Sequence, residues 1–270
     1  MVSVGFVILT WNSEKYIRAC LSTLLAFRTV RVEIAVCDNG STDRTPEILR
    51  SYGDRIRAVY LDKNYGQSIS RNIAATRLPV TDYVCILDAD TEIRDENGFC
   101  RMLHRLDGRG DVGIIAPRLC NAKGETQFSA KHLPTLREKL YKAIPLSYFR
   151  RRGDALDHDD YAEKGELFCA PYVISACITL RRDAFLRIGG FDEKIFYGAE
   201  DVEYCMRCWE RGMKVVYDGS VTVLHHYQRI GRRRFLSKHN YEHLRSLFYL
   251  RRKYPSHVFR EIERRAEEVP

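Results

Sequence analysis

Four short apolar runs, at 2–9, 32–37, 57–61 and 83–87, punctuate the first third of the chain, and helix-like stretches separate them. Each run is rich in Val, Ile, Leu or Tyr, as a buried strand requires. After the first run, Ser13 is placed to cap a helix that aligns Ile17, Leu21, Leu24 and Leu25 on one face. Thr45-Pro46 reads as the N-cap and first position of a second helix running to Tyr52. The stretch 67–77 reads as a third, with Ile69, Ile73 and Ala74 spaced for burial. Strands alternating with helices imply right-handed crossovers and a mostly parallel, doubly wound α/β sheet covered on both faces.

That topology decides where chemistry sits, because ligands of such sheets bind beyond the carboxyl ends of the strands. Three polar clusters fall there: Thr10-Trp11-Asn12, Asp38-Asn39-Gly40-Ser41 and Asp88-Ala89-Asp90. The last is a DxD pattern at a strand exit. Two carboxylates so placed suit a divalent cation, and a divalent cation suits a diphosphate. Asp38 can accept hydrogen bonds from a base or ribose, though an Asp before Asn-Gly-Ser also makes an ordinary turn. No GxGxxG follows the first run, which speaks against a dinucleotide cofactor.

Beyond residue 120 the pattern loosens. A helix carrying Leu136, Leu140 and Ile144 precedes a polar run, Arg150 to Glu166, that reads as a loop or lid. A strand is expected over Tyr172–Leu180, then a helix from Asp183 stopped by Gly189-Gly190, and a helix from Ala199 to Arg211. Two short strands follow, at 215–217 and 221–224. Glu200-Asp201 opens the helix at 199–211. Acids there stabilise the helix dipole, and an ionised Asp can equally take a proton from a sugar hydroxyl. His225 ends the last strand, where a histidine packs structurally or joins a metal shell.

At 270 residues the chain suits one large domain or two small ones. No apolar stretch approaches the ~20 residues of a membrane helix, and the N-terminus reads as a strand and not as a signal peptide. Nine dispersed cysteines without such a signal point to reduced thiols in the cytoplasm. Cys205 and Cys208 lack a second pair for a zinc site and are expected to pack within a helix. The net charge of +8 is concentrated after residue 226, where twelve basic residues face five acids. Tyr241, Leu244 and Phe248 share one helical face there. Such a helix is expected to pack on the preceding domain with its basic side in solvent. The sharper alternative is contact of 229–265 with an anionic membrane, which would put the chain peripherally at its inner face. No nucleic-acid-binding motif accompanies the charge, and no nucleic-acid partner is expected.

The pieces Val7-Ile8-Leu9-Thr10-Trp11-Asn12, Cys37-Asp38-Asn39-Gly40-Ser41-Thr42-Asp43, Asn64-Tyr65-Gly66 and Arg71-Asn72 come in that order. Leu87-Asp88-Ala89-Asp90, Gly189-Gly190-Phe191-Asp192-Glu193, Glu200-Asp201 and Val223-Leu224-His225-His226 follow them. Together they resemble the inverting family 2 glycosyltransferases of the GT-A fold, which use nucleotide-sugar donors. The resemblance implies one catalytic domain over 1–226, with a Rossmann-like nucleotide-sugar-binding half at 1–118 and an acceptor half at 119–226. A basic helical tail then occupies 227–270. The resemblance further implies that Thr10, Trp11, Asn12 and Asn64 line the nucleotide pocket, that Asp38 meets the base and that Arg71 approaches the diphosphate. Asp88, Ala89 and Asp90 would hold the donor, and Asp90, with Asp88 and His225, would ligate Mg²⁺ or Mn²⁺. Asp201 would be the general base, supported by Glu200, and the acceptor a glycan or a lipid-linked sugar. Ile174-Ser175-Ala176 replaces the Gly-containing turn of many relatives, and Val202-Glu203-Tyr204 replaces a more usual Asp-Leu ending, so sugar and acceptor stay open. Two rivals remain at this level: a binding protein that holds a nucleotide-sugar without turnover, and a sugar nucleotidyltransferase.

Overall fold

The computed structural model describes residues 1–135, 166–226 and 238–268. The helix expected around Leu136–Ile144, the polar run from Arg150 and the arginines at 229–234 lie outside the described residues.

The four apolar runs are strands β1 (Ser3–Thr10), β2 (Arg31–Asp38), β3 (Arg57–Tyr60) and β4 (Tyr83–Asp88). Helices α1 (Ile17–Leu25), α2 (Thr45–Arg50) and α3 (Gln67–Ala75) connect them. The start signals are displaced. Tyr16 occupies the N-cap of α1, while the Ser13 carbonyl accepts from the Tyr16 and Ile17 amides in a preceding turn. Arg44 is the N-cap of α2, so Thr45 lies inside the helix, where its Oγ1 accepts from the Ser13 amide. On α3 the fully buried side chains are Ser68, Ser70, Arg71 and Ala74, whereas Ile69 and Ile73 are only half-buried. The most buried face of α3 is therefore largely polar: Ser70 Oγ donates to the Gly66 carbonyl, and Arg71 meets Asp88 and Glu200.

The chain continues through β5 (Thr91–Glu92), α4 (Glu96–Asp107), β6 (Val112–Cys120), β7 (Thr126–Gln127), β8 (Ala130–Lys131), β9 (Leu167–Cys169), β10 (Tyr172–Val173) and β11 (Cys177–Arg181). Helices α5 (Arg182–Ile188) and α6 (Glu200–Glu210) precede β12 (Lys214–His225), and α7 (Lys238–Lys253) and α8 (Ser256–Glu267) close it. The strand expected over 172–180 is two pieces. β10 pairs with β8 in a small separate sheet, and β11 enters the main one, with the break at Ile174-Ser175-Ala176. The two short strands at 215–224 are instead one strand, β12, with a register shift between Asp218 and Thr222. Cys205 and Cys208 are buried in α6.

The main sheet runs β3-β2-β1-β4-β11-β6-β12-β5. β1, β2, β3 and β4 pair in parallel, as do β6 and β12, while β11 inserts antiparallel between β4 and β6. Both faces are covered. Phe6 stacks toward Phe27 and Phe99 of α4, and the opposite face, at Gly5, lies against Leu78 just beyond α3. Register then fixes the rim: Thr10 pairs with Asp38 and Leu9 with Asp88, so three strand exits share one edge. β5, immediately after the DxD turn, pairs with the end of β12 (Thr91 with His225), which curls the far side of the sheet back to β4.

α7 and α8 pack on the same body. Leu250, Tyr254, Phe259, Ile262 and Ala266 join the main core, and Leu247 packs with Ile195 and Ala199. The face expected to make that contact does not. Tyr241, Leu244 and Phe248 are 65%, 49% and 65% exposed, because the inward stripe runs through Glu242, Ser246, Leu247, Leu250 and Tyr254.

Candidate active site

The β5–β12 pairing delivers His225 to the DxD turn. His226 N–H donates to the Asp90 carbonyl (2.8 Å), and His225 Nε2 lies 3.4 Å from Asp90 Oδ1. One ligand atom each from Asp88, Asp90 and His225 all lie within 4.8 Å of one another. His225 Nδ1 is held by Gln127 Oε1 at 2.8 Å, which fixes the ring plane. Burial disfavours charge on that ring, but Asp90 and Asp88 outweigh it and raise its pKa. Two carboxylates and an oriented imidazole form a donor set that fits Mg²⁺ or Mn²⁺. Ala89, between the acids, is buried.

Arg71 sits beneath this cluster at 1% exposure, not at its surface. Its Nη2 donates to Asp88 Oδ1 at 2.8 Å, its Nη1 lies 3.6 Å from Glu200 Oε1, and its guanidinium stacks 5.3 Å from the Phe191 ring centroid. One buried cation thus ties the strand exit of β4 to the first turn of α6. Glu200 is also buried, and its Oε2 accepts from the Gly198 and Ala199 amides (2.6 and 3.1 Å), closing the entry to the helix. Asp201 is half-buried, with Oδ1 accepting from the Val202 amide at 2.8 Å. Withdrawal from water and repulsion by Glu200 push its pKa up to about 7, against the pull of Arg71 and Lys131.

Across the sheet, Thr10 and Asp38 are paired in register and both buried, and Thr10 Oγ1 and Asp38 Oδ1 have no hydrogen-bond partner. Two strand spacings separate Asp38 from Asp88, roughly 10 Å. Burial raises the Asp38 pKa despite hydrogen bonds from Ser41. Asn12, at φ 50°, turns the chain inward: its Oδ1 accepts from the Thr42 amide and its own amide donates to Ser41 Oγ. Asn64 Oδ1 accepts from Asn39 Nδ2 and the Gly66 amide. Both asparagines therefore brace the loops that frame the rim. Trp11 stands 40% exposed beside them. Gly66 has φ +95°, and a Cβ there would meet the Phe196 carbonyl oxygen at 2.8 Å. That close approach lets the loop 192–199 seat Gln67 N–H on the Phe196 carbonyl.

Several participants carried no signal in the sequence. Gln127 orients His225; Glu92 pairs with His226 at 2.6 Å, and Tyr16 stacks on that ring. Glu203, fully buried, accepts from Arg207 Nε (3.0 Å), Lys253 (2.8 Å) and Tyr254 (3.0 Å). The unusual Val202-Glu203-Tyr204 stretch is thus the anchor that holds α7 against α6.

A metal-fitting acid cluster is thus joined, through one buried arginine, to the helix turn that carries a carboxylate of raised pKa, at the rim of a curled, wound sheet. Residues 6–189 match the family described as Glycosyl transferase family 2, and the chain belongs to that family of glycosyltransferases. Among relatives, the N-acetylglucosaminyl-diphospho-decaprenol L-rhamnosyltransferase of Mycobacterium tuberculosis is 26% identical over 231 residues, 82% of this chain and 75% of that protein. The pre-mycofactocin glycosyltransferase of the same organism is 28% identical, over 83% of this chain and 43% of that protein. The mannosyltransferase PcManGT from Pyrobaculum calidifontis, solved with GDP-Man and Mn²⁺, aligns at TM-score 0.60 and 17% identity over 91% of this chain and 64% of its own. GalNAc-T7, solved with UDP, GalNAc and Mn²⁺, aligns at 0.61 and 17% over 85% of this chain and 44% of its own. The chain spans less than two thirds of either solved chain, and at that identity the likeness establishes the GT-A fold alone.

Proposed function

We propose that the chain is an inverting, metal-dependent transferase that moves a hexosyl or deoxyhexosyl unit from a nucleotide-sugar to a hydroxyl of a glycan or lipid-linked acceptor. The observation that carries this reading is the joining, through Arg71, of the Asp88–Asp90–His225 cluster to the Glu200–Asp201 helix turn. Solved chains of the same fold hold UDP or GDP-Man with Mn²⁺, and one relative is named for transfer of L-rhamnose to a decaprenol-linked sugar, which supports the donor and acceptor classes.

Asp90, Asp88 and His225 would hold Mg²⁺ or Mn²⁺, which supplies positive charge against the departing diphosphate. Thr10 and Asp38 offer buried, unpartnered oxygens to the nucleotide, with Trp11, Asn12 and Asn64 shaping the walls. Arg71 holds Asp88 and Glu200 in place from below, and Glu200 fixes the turn that aims Asp201. Asp201 takes the proton of the acceptor hydroxyl as its oxygen bonds to the anomeric carbon. The bond from that carbon to the diphosphate breaks on the opposite face, so one displacement inverts the configuration. The division into a donor half at 1–118, an acceptor half at 119–226 and a tail at 227–270 is part of this proposal.

The test is a panel of nucleotide-sugars with Mn²⁺ and a prenyl-diphosphate-linked sugar acceptor. Nucleoside diphosphate should be released, with an inverted anomeric proton coupling in the product. Pyrophosphate as the released product would instead mark nucleotidyl transfer.

A further inference from the structure

We propose that the outer face of α7 is a docking surface for an anionic lipid bilayer. Tyr241, Leu244, Arg245, Phe248 and Arg252 fall at i, i+3, i+4, i+7 and i+11, one continuous stripe, and all five are exposed. Three large apolar side chains with two arginines beside them make an unusual solvent face for a helix whose other side already supplies Leu247 and Leu250 to the protein interior. A helix apolar on both sides has a second partner to meet.

The charge selects that partner. The one acid of α7, Glu242, is buried and faces Arg245 at 3.3 Å, so no carboxylate lies on the stripe. Anionic headgroups would meet the arginines while Tyr241, Leu244 and Phe248 enter the headgroup–acyl boundary, the arrangement of an interfacial helix. A second copy of the chain fits worse, because a twofold contact would bring together two stripes that each carry arginines and no carboxylate. At 16 residues α7 is about 24 Å long. No helix among the described residues is long and apolar enough to cross a membrane, so α7 would lie flat.

The surface stands whether or not the transferase reading holds, but its place matters to that reading. The inner side of the same helix donates Ser246 Oγ to the Tyr197 carbonyl and Lys253 to Asp192 and Glu203. A bilayer under the outer side would therefore fix how the loop leading into Asp201 faces the lipid.

Co-sedimentation of the full chain with vesicles tests this, using phosphatidylcholine alone and phosphatidylcholine mixed with phosphatidylglycerol. Binding is expected to the mixed vesicles and not to the neutral ones. The double variant L244S/F248S keeps every charge and should bind about tenfold more weakly or worse, and Arg252→Glu should do the same. Both alter exposed side chains, so thermal melts should match the parent chain. Phe248→Trp offers an independent readout, its added indole emission shifting to the blue when mixed vesicles are present. Equal recovery with both vesicle types, unchanged binding of L244S/F248S, or an F248W emission spectrum that does not move would overturn the proposal. So would a concentration-dependent dimer that Phe248→Ser dissolves, which would assign the stripe to self-association. Vesicle binding by a chain that transfers no sugar would leave the surface standing and sink the reaction.

Discussion

Replacing Asp201 by Asn should make the protein more stable and nearly inactive at once. The magnitude follows from its pKa, raised from an ordinary 3.8 to about 7 by withdrawal from water and by Glu200. At ~1.4 kcal/mol per pH unit, the ionised carboxylate carries a penalty of roughly 4 kcal/mol in the folded state. Between the two pKa values the native protein holds a proton that the unfolded chain has released, so stability falls as pH rises across that window. The penalty is absent below about pH 4 and complete above about pH 7. Asn keeps the carbonyl oxygen that accepts from the Val202 amide and carries no charge. Urea unfolding of both proteins across this range should therefore show equal stability in acid. Above pH 7 the variant should lead by up to about 4 kcal/mol, a melting shift on the order of 10 °C. Turnover at pH 8 should drop about 10²–10⁴-fold while donor affinity holds, because the proton acceptor is gone. A stability gap that does not change with pH would refute the electrostatic argument, and near-normal turnover would refute the role as base.

Three further outcomes follow from the same geometry. Glu200→Gln removes the charge that helps raise Asp201, so the acidic limb of the kcat/KM profile should move to lower pH; an unmoved limb would place the titrating group elsewhere. Mn²⁺ at a hundred times its Kd should stabilise the protein by ~2.7 kcal/mol, and Asp90→Asn should abolish both this gain and chelator-sensitive turnover; a gain that survives in the variant would relocate the metal. Arg71→Met strands the buried Glu200 and the half-buried Asp88 and should cost about 3–5 kcal/mol, and Arg71→Lys should recover only part of it, since one ammonium cannot span Asp88 and Glu200; full recovery by lysine would show that the fork is unnecessary.

The first part of the sheet, β1 to β4, was legible because strand periodicity, turn residues and strand-exit acids all report on the same local geometry. β1–β4 appear within a residue of their expected ends. What the sequence hid was long-range. α4, not among the expected elements, does carry a local signal, since Asp95 caps it and Phe99, Met102, Leu103 and Leu106 repeat with helical period, whereas β6, nine residues containing Pro117, gives no clean alternation. Insertion of β11 antiparallel between β4 and β6 depends on the break at 174–176, which a run of apolar residues conceals. The outward turn of Tyr241, Leu244 and Phe248 cannot be told from an inward one by spacing, because both sides of α7 repeat with helical period. Nor does anything local announce that the arginine at 71 will be buried beneath the rim instead of lying at its surface.

The burial of Arg71 explains the charge balance of the rim. Asp88, Glu200 and Asp201 surround one guanidinium, with Asp90 two residues from Asp88, so carboxylates outnumber the buried cation. Such an excess is costly in a dry site unless positive charge arrives or a proton is kept. His225 and Asp201 divide those two solutions. The first faces Asp90 in the cluster fitted to a divalent ion, and the second holds its proton up to about pH 7. On the proposed mechanism, an acid that gives up its proton only near neutrality, beside a site short of positive charge, would take one from a hydroxyl once a charged donor and its metal fill the rim. The same imbalance that weakens the fold around α6 thus sets its chemistry, and the Glu203–Lys253–Tyr254 anchor offsets it from behind by pinning α6 to α7.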